Sequence, residues 1–130
     1  DFKSTSTHAS SKLLRIMVVD DNVDAAQMLA MYLEAMGHSV AFKHSATEAL
    51  TLSLQQPFDV FLLDIGLPEI DGYDLARMLR SQSVTANAGL IAITGYGQDR
   101  DREKAKEAGF DHHLLKPVDI PQLLTLLDKM

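Results

Sequence analysis

The sequence contains no cysteine, which excludes disulfide bonds and thiolate metal sites and favours a reducing compartment. It also lacks any apolar run near the roughly 20 residues that a membrane-spanning helix needs, and no signal-peptide pattern opens it. Basic residues are scarce: 12 Lys and Arg stand against 18 Asp and Glu, for a net charge of −6. Because nucleic-acid binding needs a basic surface, we expect no nucleic-acid partner. From the missing apolar run, signal peptide and cysteine we expect no direct membrane contact and a cytoplasmic location.

The remaining composition is that of one globular domain: 130 residues, of which 46% are hydrophobic and 23% are charged. Residues 1–12 are rich in serine and threonine and have little to bury, so they predict a flexible linker. The folded domain is predicted to span residues 13–130. The chain begins with Asp1 rather than Met, which indicates a fragment or a processed product.

Four short apolar runs each end on a polar residue that could do chemistry. Asp20 and Asp21 follow the first run, Asp64 the second, Thr94 the third and Lys116 the fourth. Short apolar runs bounded by turn signals are typical of buried parallel strands, and ligands of open parallel sheets bind at the carboxyl ends of the strands. The sequence therefore predicts one site of three carboxylates, a hydroxyl and an ammonium, suited to a divalent cation and a phosphoryl group.

Helical patterns alternate with these runs. Strands are predicted at about 15–20, 39–43, 58–63, 89–94 and 112–115, and helices at about 24–36, 45–56, 72–81, 99–108 and from 119 onwards. Five such units indicate an α/β fold: a flavodoxin-like, doubly wound, five-stranded parallel sheet in the order 2-1-3-4-5, with five helices on both faces. Residues 39–43 alternate polar and apolar side chains, which is typical of an edge strand.

The helix patterns also predict which side chains are buried. The first helix is expected to bury one apolar face, which comprises Met28, Leu29, Tyr32, Leu33 and Met36. For the last helix the inward-facing side chains are expected to be Leu123, Leu124 and Leu127.

The three carboxylates of Asp20, Asp21 and Asp64 around one point suit Mg²⁺, a hard cation that prefers oxygen ligands. Asp64 is the expected nucleophile, because a carboxylate can accept a phosphoryl group to form an aspartyl phosphate. Thr94 and Lys116 would lie near the phosphoryl oxygens, where positioning and positive charge assist transfer.

Each of these residues also has a purely structural interpretation, which stays open here. The acidic pair could cap the first helix together with Asn22, Asp64 could cap a turn, and Thr94 could be an ordinary strand residue. Lys116 could be a surface lysine, whereas a cis bond to Pro117 would aim its side chain into the site.

Taken together, these residues resemble the receiver domain of two-component response regulators over about residues 14–129. The motifs that carry the resemblance are Asp20-Asp21, Leu62-Leu63-Asp64-Ile65-Gly66-Leu67-Pro68, Asp71-Gly72, Ile93-Thr94-Gly95 and Lys116-Pro117. The resemblance implies that Asp64 is phosphorylated by a phosphohistidine of a histidine kinase or histidine phosphotransfer protein. It also implies that the domain catalyses its own phosphorylation and dephosphorylation.

The resemblance further implies a ligand set for Mg²⁺. Asp21, Asp64 and the backbone carbonyl of Gly66 would hold the ion, with Asp20 acting mainly through water. Thr94 and Lys116 would bind the phosphoryl group.

Three positions depart from the commonest pattern of the family. His113 occupies the position of an aromatic switch residue, which puts the coupling of Thr94 to an aromatic rotamer in question. Gly66 and Tyr96 occupy positions that influence the lifetime of the phosphate in the family. Neither His112 nor His113 has a third ligand at suitable spacing, so both are interpreted as structural.

The segments at 94–98 and 108–113 resemble receivers at the C-terminus of hybrid sensor histidine kinases. The parent chain would then be a histidine kinase, the domain could be tethered to a membrane-bound sensor, and residues 1–12 would link it to the kinase core. A stand-alone single-domain response regulator is the alternative, and a weak homodimer is left open.

Functions of other classes fit the residues less well. A metal-dependent phosphatase typically has a second carboxylate two residues after the nucleophile, where this chain has Gly66. A phosphorylation-independent adaptor predicts a broken acidic pocket, yet every pocket residue is present. A nucleotide-binding flavodoxin-like protein would need a glycine-rich loop where this chain has Asp20-Asp21-Asn22.

The fourth helical segment, residues 99–108, indicates how a signal could leave the site. From Asp99 to Glu107 every residue except Ala105 is charged, so this helix has almost no apolar stripe. A helix with few apolar contacts is cheap to shift. We expect movement of Thr94 to bias the loop at 95–98 and this helix, although a merely solvated helix is the plainer interpretation.

Overall fold

Five strands alternate with five helices along the chain, as the sequence predicts. The computed structural model describes residues 13–95 and 99–130, with the backbone alone for 99–101. The predicted linker at 1–12 and the loop residues 96–98 lie outside the described residues. The strands are β1 (Arg15–Val19), β2 (Ser39–Lys43), β3 (Val60–Asp64), β4 (Gly89–Thr94) and β5 (His112–Leu115). The helices are α1 (Val23–Ala35), α2 (Ala46–Gln55), α3 (Gly72–Ser81), α4 (Asp99–Ala108) and α5 (Ile120–Asp128).

All strand pairs are parallel, and the sheet order is β2-β1-β3-β4-β5, which confirms the predicted flavodoxin-like topology. The register aligns the carboxyl ends of the strands. Val19 pairs with Leu63, Asp64 with Ile93, and Thr94 with Leu115. The residues that follow β1, β3, β4 and β5 therefore meet at one edge of the sheet.

The core forms two clusters, one on each face of the sheet, because β1, β3 and β4 bury almost every side chain. Helices α2, α3 and α4 cover one face, through residues such as Ala46, Leu75 and Ala105. Helices α1 and α5 cover the other, through Leu33 and Leu123. Strand β2 lies at the edge with no fully buried residue, as its alternating pattern indicates.

Four helices begin at a side-chain cap. An oxygen of the capping residue accepts a hydrogen bond from the backbone N–H three residues later, which satisfies one of the free donors of the first turn. The capping residues are Asn22, Ser45, Asp71 and Asp119. The helix predicted to start at residue 45 therefore has its cap at that residue. None of the described helices is long and apolar enough to cross a bilayer.

The apolar face predicted for α1 is partly wrong. Its buried residues are Ala26, Leu29, Ala30 and Leu33, whereas 61% of Met28 is exposed, and Tyr32 and Met36 are also exposed. The two alanines let α1 pack closely on the sheet, so the larger side chains lie outside. The prediction ranked side chains by hydrophobicity, so it placed the bulky residues rather than the alanines at the core.

The prediction for α5 is correct at two of three positions. Leu123 and Leu127 are buried, whereas Leu124 is only partly buried and lies outside the core clusters. Leu126 packs against the core instead. Leu124 is displaced by about 100° around the helix axis from Leu123, which places it at the flank of the buried face.

His38 anchors the beginning of β1. Its Nδ1 accepts a hydrogen bond of 3.0 Å from the backbone N–H of Leu14. Burial lowers the pKa of His38 from its ordinary value, and the charge of Asp128 opposes that shift. Protonation of Nδ1 would remove the acceptor that Leu14 uses.

We expect His38 to make the free energy of unfolding depend on pH. Its folded pKa lies below its unfolded value of 6.5, so its contribution is present above that pH and is lost as pH falls through the folded pKa. His38→Asn supplies an acceptor oxygen that does not titrate, so the variant should lose less stability on acidification. Urea unfolding between about pH 5 and pH 8 measures the difference. Identical pH dependence in both proteins would contradict the role of His38.

Candidate functional site

Side chains from three strand ends meet at the carboxyl edge of the sheet. The ammonium of Lys116 lies 3.3 Å from Oδ1 of Asp64 and 3.8 Å from Oδ2 of Asp20. Both carboxylates are more than nine-tenths buried. The structure thus brings together residues that lie up to 96 positions apart in the sequence, as the predicted topology requires.

Asp64 is the last residue of β3, and its side chain and backbone are both held in place. Its Oδ1 accepts a hydrogen bond of 3.0 Å from the N–H of Gly66. The next residue, Ile65, donates its N–H to the carbonyl oxygen of Ile93 at 3.0 Å, which extends the β3–β4 pairing past the strand end. The carboxylate therefore has a defined orientation, with one edge available at the site.

Asp20 lies inside the site and is not the cap of α1. Its Oδ1 accepts the N–H of Asn22 at 2.9 Å, while Oδ1 of Asn22 caps the helix by accepting the N–H of Ala25. Burial raises the pKa of Asp20; the hydrogen bond from Asn22 opposes that shift, and the negative charge of Asp64 adds to it. The capping interpretation is correct for Asn22 and wrong for Asp20.

Asp21 completes a group of three acids. One carboxylate oxygen each from Asp20, Asp21 and Asp64 lie within 4.8 Å of one another, and Asp21 itself is exposed. Among the side chains described for residues 13–95 and 102–130, this is the only such group of three metal ligands. Oxygens on opposite sides of one Mg²⁺ are separated by about 4 Å. The oxygen donors and their spacing therefore fit a hard divalent cation.

Charge supports the same conclusion. The three carboxylates face one ammonium, that of Lys116, so the positive charge described at this edge does not balance the negative charge. A divalent cation would restore the balance. Gly66 contributes its N–H to Asp64, and ligation of a metal by its carbonyl oxygen stays a prediction.

Thr94 ends β4 beside Asp64 and is 4% exposed. Its carbonyl oxygen accepts the N–H of Lys116 at 2.8 Å, which ties the ends of β4 and β5 together. The Lys116–Pro117 peptide bond is cis, and the Lys116 side chain contacts two buried carboxylates. The interpretation of Lys116 as an ordinary surface lysine is therefore wrong.

His113 lies on β5 opposite Ala92 and is partly buried. With His112 it lines a groove between α4 and β5, together with Arg102, Lys106 and Phe110 among others. The two histidines do not take part in the acidic cluster. Tyr96 lies outside the described residues.

Arg80 is a residue that the sequence analysis did not single out. Its guanidinium, at the end of α3, donates to the carbonyl oxygens of Ala86, Ala88 and Gly109 and to the carboxylate of Asp111. These contacts join α3, the segment before β4 and the turn after α4. The sequence signal was weak, because an arginine in the last turn of a helix is common.

Comparisons with known proteins show which family the chain is similar to. A family model described as the response regulator receiver domain matches residues 16–128. The polar-differentiation response regulator DivK of Brucella ovis is 28% identical over 109 residues, which cover 84% of this chain and 89% of DivK.

Solved structures show the same fold. The chemotaxis protein CheY4 of Vibrio cholerae matches with a TM-score of 0.86 over 91% of this chain and 98% of its own, at 24% identity. The signal receiver domain of a signal transduction histidine kinase from Syntrophus aciditrophicus matches with a TM-score of 0.81 and 27% identity. That match covers 89% of this chain and 88% of the other.

We expect Asp20→Asn to stabilise the metal-free protein and to weaken its response to Mg²⁺. The folded pKa of Asp20 lies above its unfolded value, so its charged form opposes folding once pH rises through that range. Removing this charge should raise the midpoint of thermal unfolding by roughly 2–6 °C, equivalent to about 1 kcal/mol. The further rise on adding Mg²⁺, which reports metal binding to the folded state, should shrink.

The matched control is Asp24→Asn, which removes an exposed carboxylate from the first turn of α1. It should leave the Mg²⁺-dependent rise unchanged. A full Mg²⁺ response in Asp20→Asn would show that Asp20 has no part in metal binding.

Proposed function

Because the chain belongs to the response regulator receiver family, we propose that it accepts a phosphoryl group from a phosphohistidine onto Asp64. The observation that carries the proposal is the 3.3 Å contact between the Lys116 ammonium and Asp64 within the group of three carboxylates. This arrangement combines a nucleophile with a fixed positive charge. The donor would be a histidine kinase or a histidine phosphotransfer protein.

In the proposed step, a carboxylate oxygen of Asp64 forms a bond to phosphorus as the P–N bond of the phosphohistidine breaks. The imidazole nitrogen leaves with the electron pair and takes up a proton. Lys116 stabilises negative charge on the phosphoryl oxygens, and Thr94 would place its hydroxyl beside them. Hydrolysis of the acyl phosphate by water would return Asp64 to its carboxylate form.

We propose Mg²⁺ as the cofactor, held by Asp21, Asp64 and the carbonyl of Gly66, with Asp20 acting through water. When bound, the ion supplies positive charge that lets an anionic donor approach three carboxylates. The spacing and donor type of the acidic group support this assignment.

The phosphoryl signal would leave through Thr94, the loop at 95–98 and α4. Among the described side chains of α4, only Ala105 and Ala108 are buried, and the three that precede Ala105, at residues 102–104, are all exposed. Its C-terminal end is different, because Arg80 binds the carbonyl oxygen of Gly109 through two N–H groups. Gly109 has a φ of +109° and packs against the Arg80 stem. We therefore propose that α4 moves as a hinged element, with its C-terminal end held at Gly109.

Two settings for the domain are supported to a similar degree. Similarity to the receiver domain of a signal transduction histidine kinase supports a kinase parent. Similarity to DivK over most of that protein supports a stand-alone regulator. We propose the hybrid kinase as the parent, because the segments at 94–98 and 108–113 resemble hybrid receivers.

Intact mass after incubation with Mg²⁺ and acetyl phosphate tests the proposed function. We expect a gain of one phosphoryl group that is lost in Asp64→Asn and in the presence of EDTA. Lys116→Met should slow the gain by about a hundredfold, since it removes the charge that stabilises the transferring group.

Asp74→Asn is the matched control, because Asp74 is an exposed aspartate whose carboxylate pairs with Arg77 at the surface of α3. It should be phosphorylated at the wild-type rate. Phosphorylation that persists in Asp64→Asn, or its absence in wild-type protein shown to bind Mg²⁺ and mixed with a phosphohistidine donor, would contradict the proposal.

Amide hydrogen exchange tests the path through α4. On phosphorylation we expect faster or slower exchange within residues 102–107 and unchanged exchange at Gly109, Phe110 and Asp111, whose N–H groups are all hydrogen-bonded. Arg80→Lys removes the pair of guanidinium N–H groups that bind the carbonyl oxygen of Gly109. The change in exchange rate on phosphorylation should then extend to these three amides.

Arg77→Lys, on the exposed side of the same helix, should behave as wild type. The path is wrong if exchange in α4 stays constant in protein whose mass shows complete phosphorylation.

A further inference from the structure

We propose that Gly72 is a positioning residue for Asp64. Its missing side chain lets the first turn of α3 lie directly against the backbone at the end of β3. That contact fixes the peptide segment that orients the Asp64 carboxylate. The inference rests on the proposed phosphoryl acceptance by Asp64 and adds a residue on which the rate of that reaction depends.

The space at Gly72 is closed by backbone atoms. A β-carbon placed there would lie 2.7 Å from the carbonyl oxygen of Asp64, 2.7 Å from Cα of Ile65 and 3.0 Å from Cδ1 of Ile65. Non-bonded carbon atoms have their optimal separation at roughly 3.5–4.0 Å. Any side chain at position 72 therefore forces the helix and the strand end apart by a substantial fraction of an ångström.

Hydrogen bonds connect Gly72 to the reacting carboxylate. The N–H of Gly72 donates to the carbonyl oxygen of Ile65 at 3.0 Å, and the N–H of Ile65 donates to Ile93 at 3.0 Å. Ile65 is thereby held from both sides. The next residue, Gly66, donates its N–H to Oδ1 of Asp64. A shift of Ile65 therefore moves the donor that orients the nucleophile.

Packing decides which partner gives way. Leu75 and Leu79, one and two turns along α3, are fully buried, and Asp71 caps the helix by accepting the N–H of Asp74. Moving α3 outwards would open the core, whereas Ile65 is only partly buried and Gly66 is exposed. We therefore expect a side chain at position 72 to displace the end of β3 rather than the helix.

Gly89 offers a matched control at the opposite edge of the sheet. A β-carbon there would lie 2.7 Å from Sδ and 3.1 Å from Cε of Met130, which are the far end of a flexible side chain. Gly89 begins β4, whereas the site lies where that strand ends. Gly89→Ala therefore introduces the same methyl group and an equally short contact away from the site, one that a flexible side chain can relieve without moving the backbone.

The experiment compares Gly72→Ala and Gly89→Ala with wild type, by initial rate of phosphorylation at saturating Mg²⁺ and acetyl phosphate and by thermal unfolding. Gly72→Ala should lower the rate roughly tenfold or more, because sub-ångström misplacement of a reacting group is costly. Gly89→Ala should change the rate by less than about twofold, even where it lowers the unfolding midpoint. In ¹⁵N spectra the Gly66 amide should shift and lose exchange protection in Gly72→Ala alone.

Rates are divided by the folded fraction from circular dichroism, and a stabilising osmolyte is added if Gly72→Ala is partly unfolded. The double variant Ile65→Ala/Gly72→Ala removes the Cδ1 contact but keeps both backbone contacts, so it should remain slow. A wild-type rate in Gly72→Ala or in the double variant, or an equal loss in Gly89→Ala, would overturn the role of Gly72. Wild-type protein that binds Mg²⁺ but gains no phosphoryl group from acetyl phosphate or from a phosphohistidine donor would instead refute the proposed function.

Discussion

The crowding of three carboxylates at one edge of a parallel sheet is the constraint on which this structure depends. Asp20 and Asp64 are buried beside each other, Asp21 lies within reach, and the Lys116 ammonium alone among the described contacts opposes them. Such an arrangement costs folding free energy at Asp20, whose pKa is raised by burial and by the negative charge of Asp64. The central strands of the sheet are almost wholly buried, and the stability that their burial provides offsets this cost. A site whose acids repel one another without a bound cation is suited to bind cations. With a cation bound, it is suited to hold a transferred anionic group.

The sequence predicted the site well because one geometric rule connects its parts. Once residues 60–64 and 89–94 are identified as neighbouring parallel strands, Asp64 and Thr94 must meet at one edge. The same rule places Asp20 and Lys116 there. Element types, sheet order and most boundaries followed from apolar runs and capping residues such as Ser45.

The features that the sequence did not predict depend on distances rather than on patterns. Hydrophobic periodicity does not distinguish a helix that packs through Ala26 and Ala30 from one that packs through Met28 and Tyr32, because both stripes are apolar. The close approach at Gly72 is a matter of which backbone atoms lie near a missing side chain. The contacts of Arg80 join segments that only the folded chain brings together.

Helix α1 buries its alanines and exposes its methionines, and this affects how the domain withstands oxidants. Met28 and Met31 of α1, Met36 directly after it and Met78 of α3 are all exposed, whereas Met17 is completely buried in β1. Conversion of a methionine to its sulfoxide disrupts structure when the side chain belongs to a core, because a flexible apolar group becomes polar. Oxidants in solution reach these four methionines first, and none of the four belongs to the core clusters. With no cysteine in the chain, oxidative damage is thereby directed to side chains on which the fold does not rely.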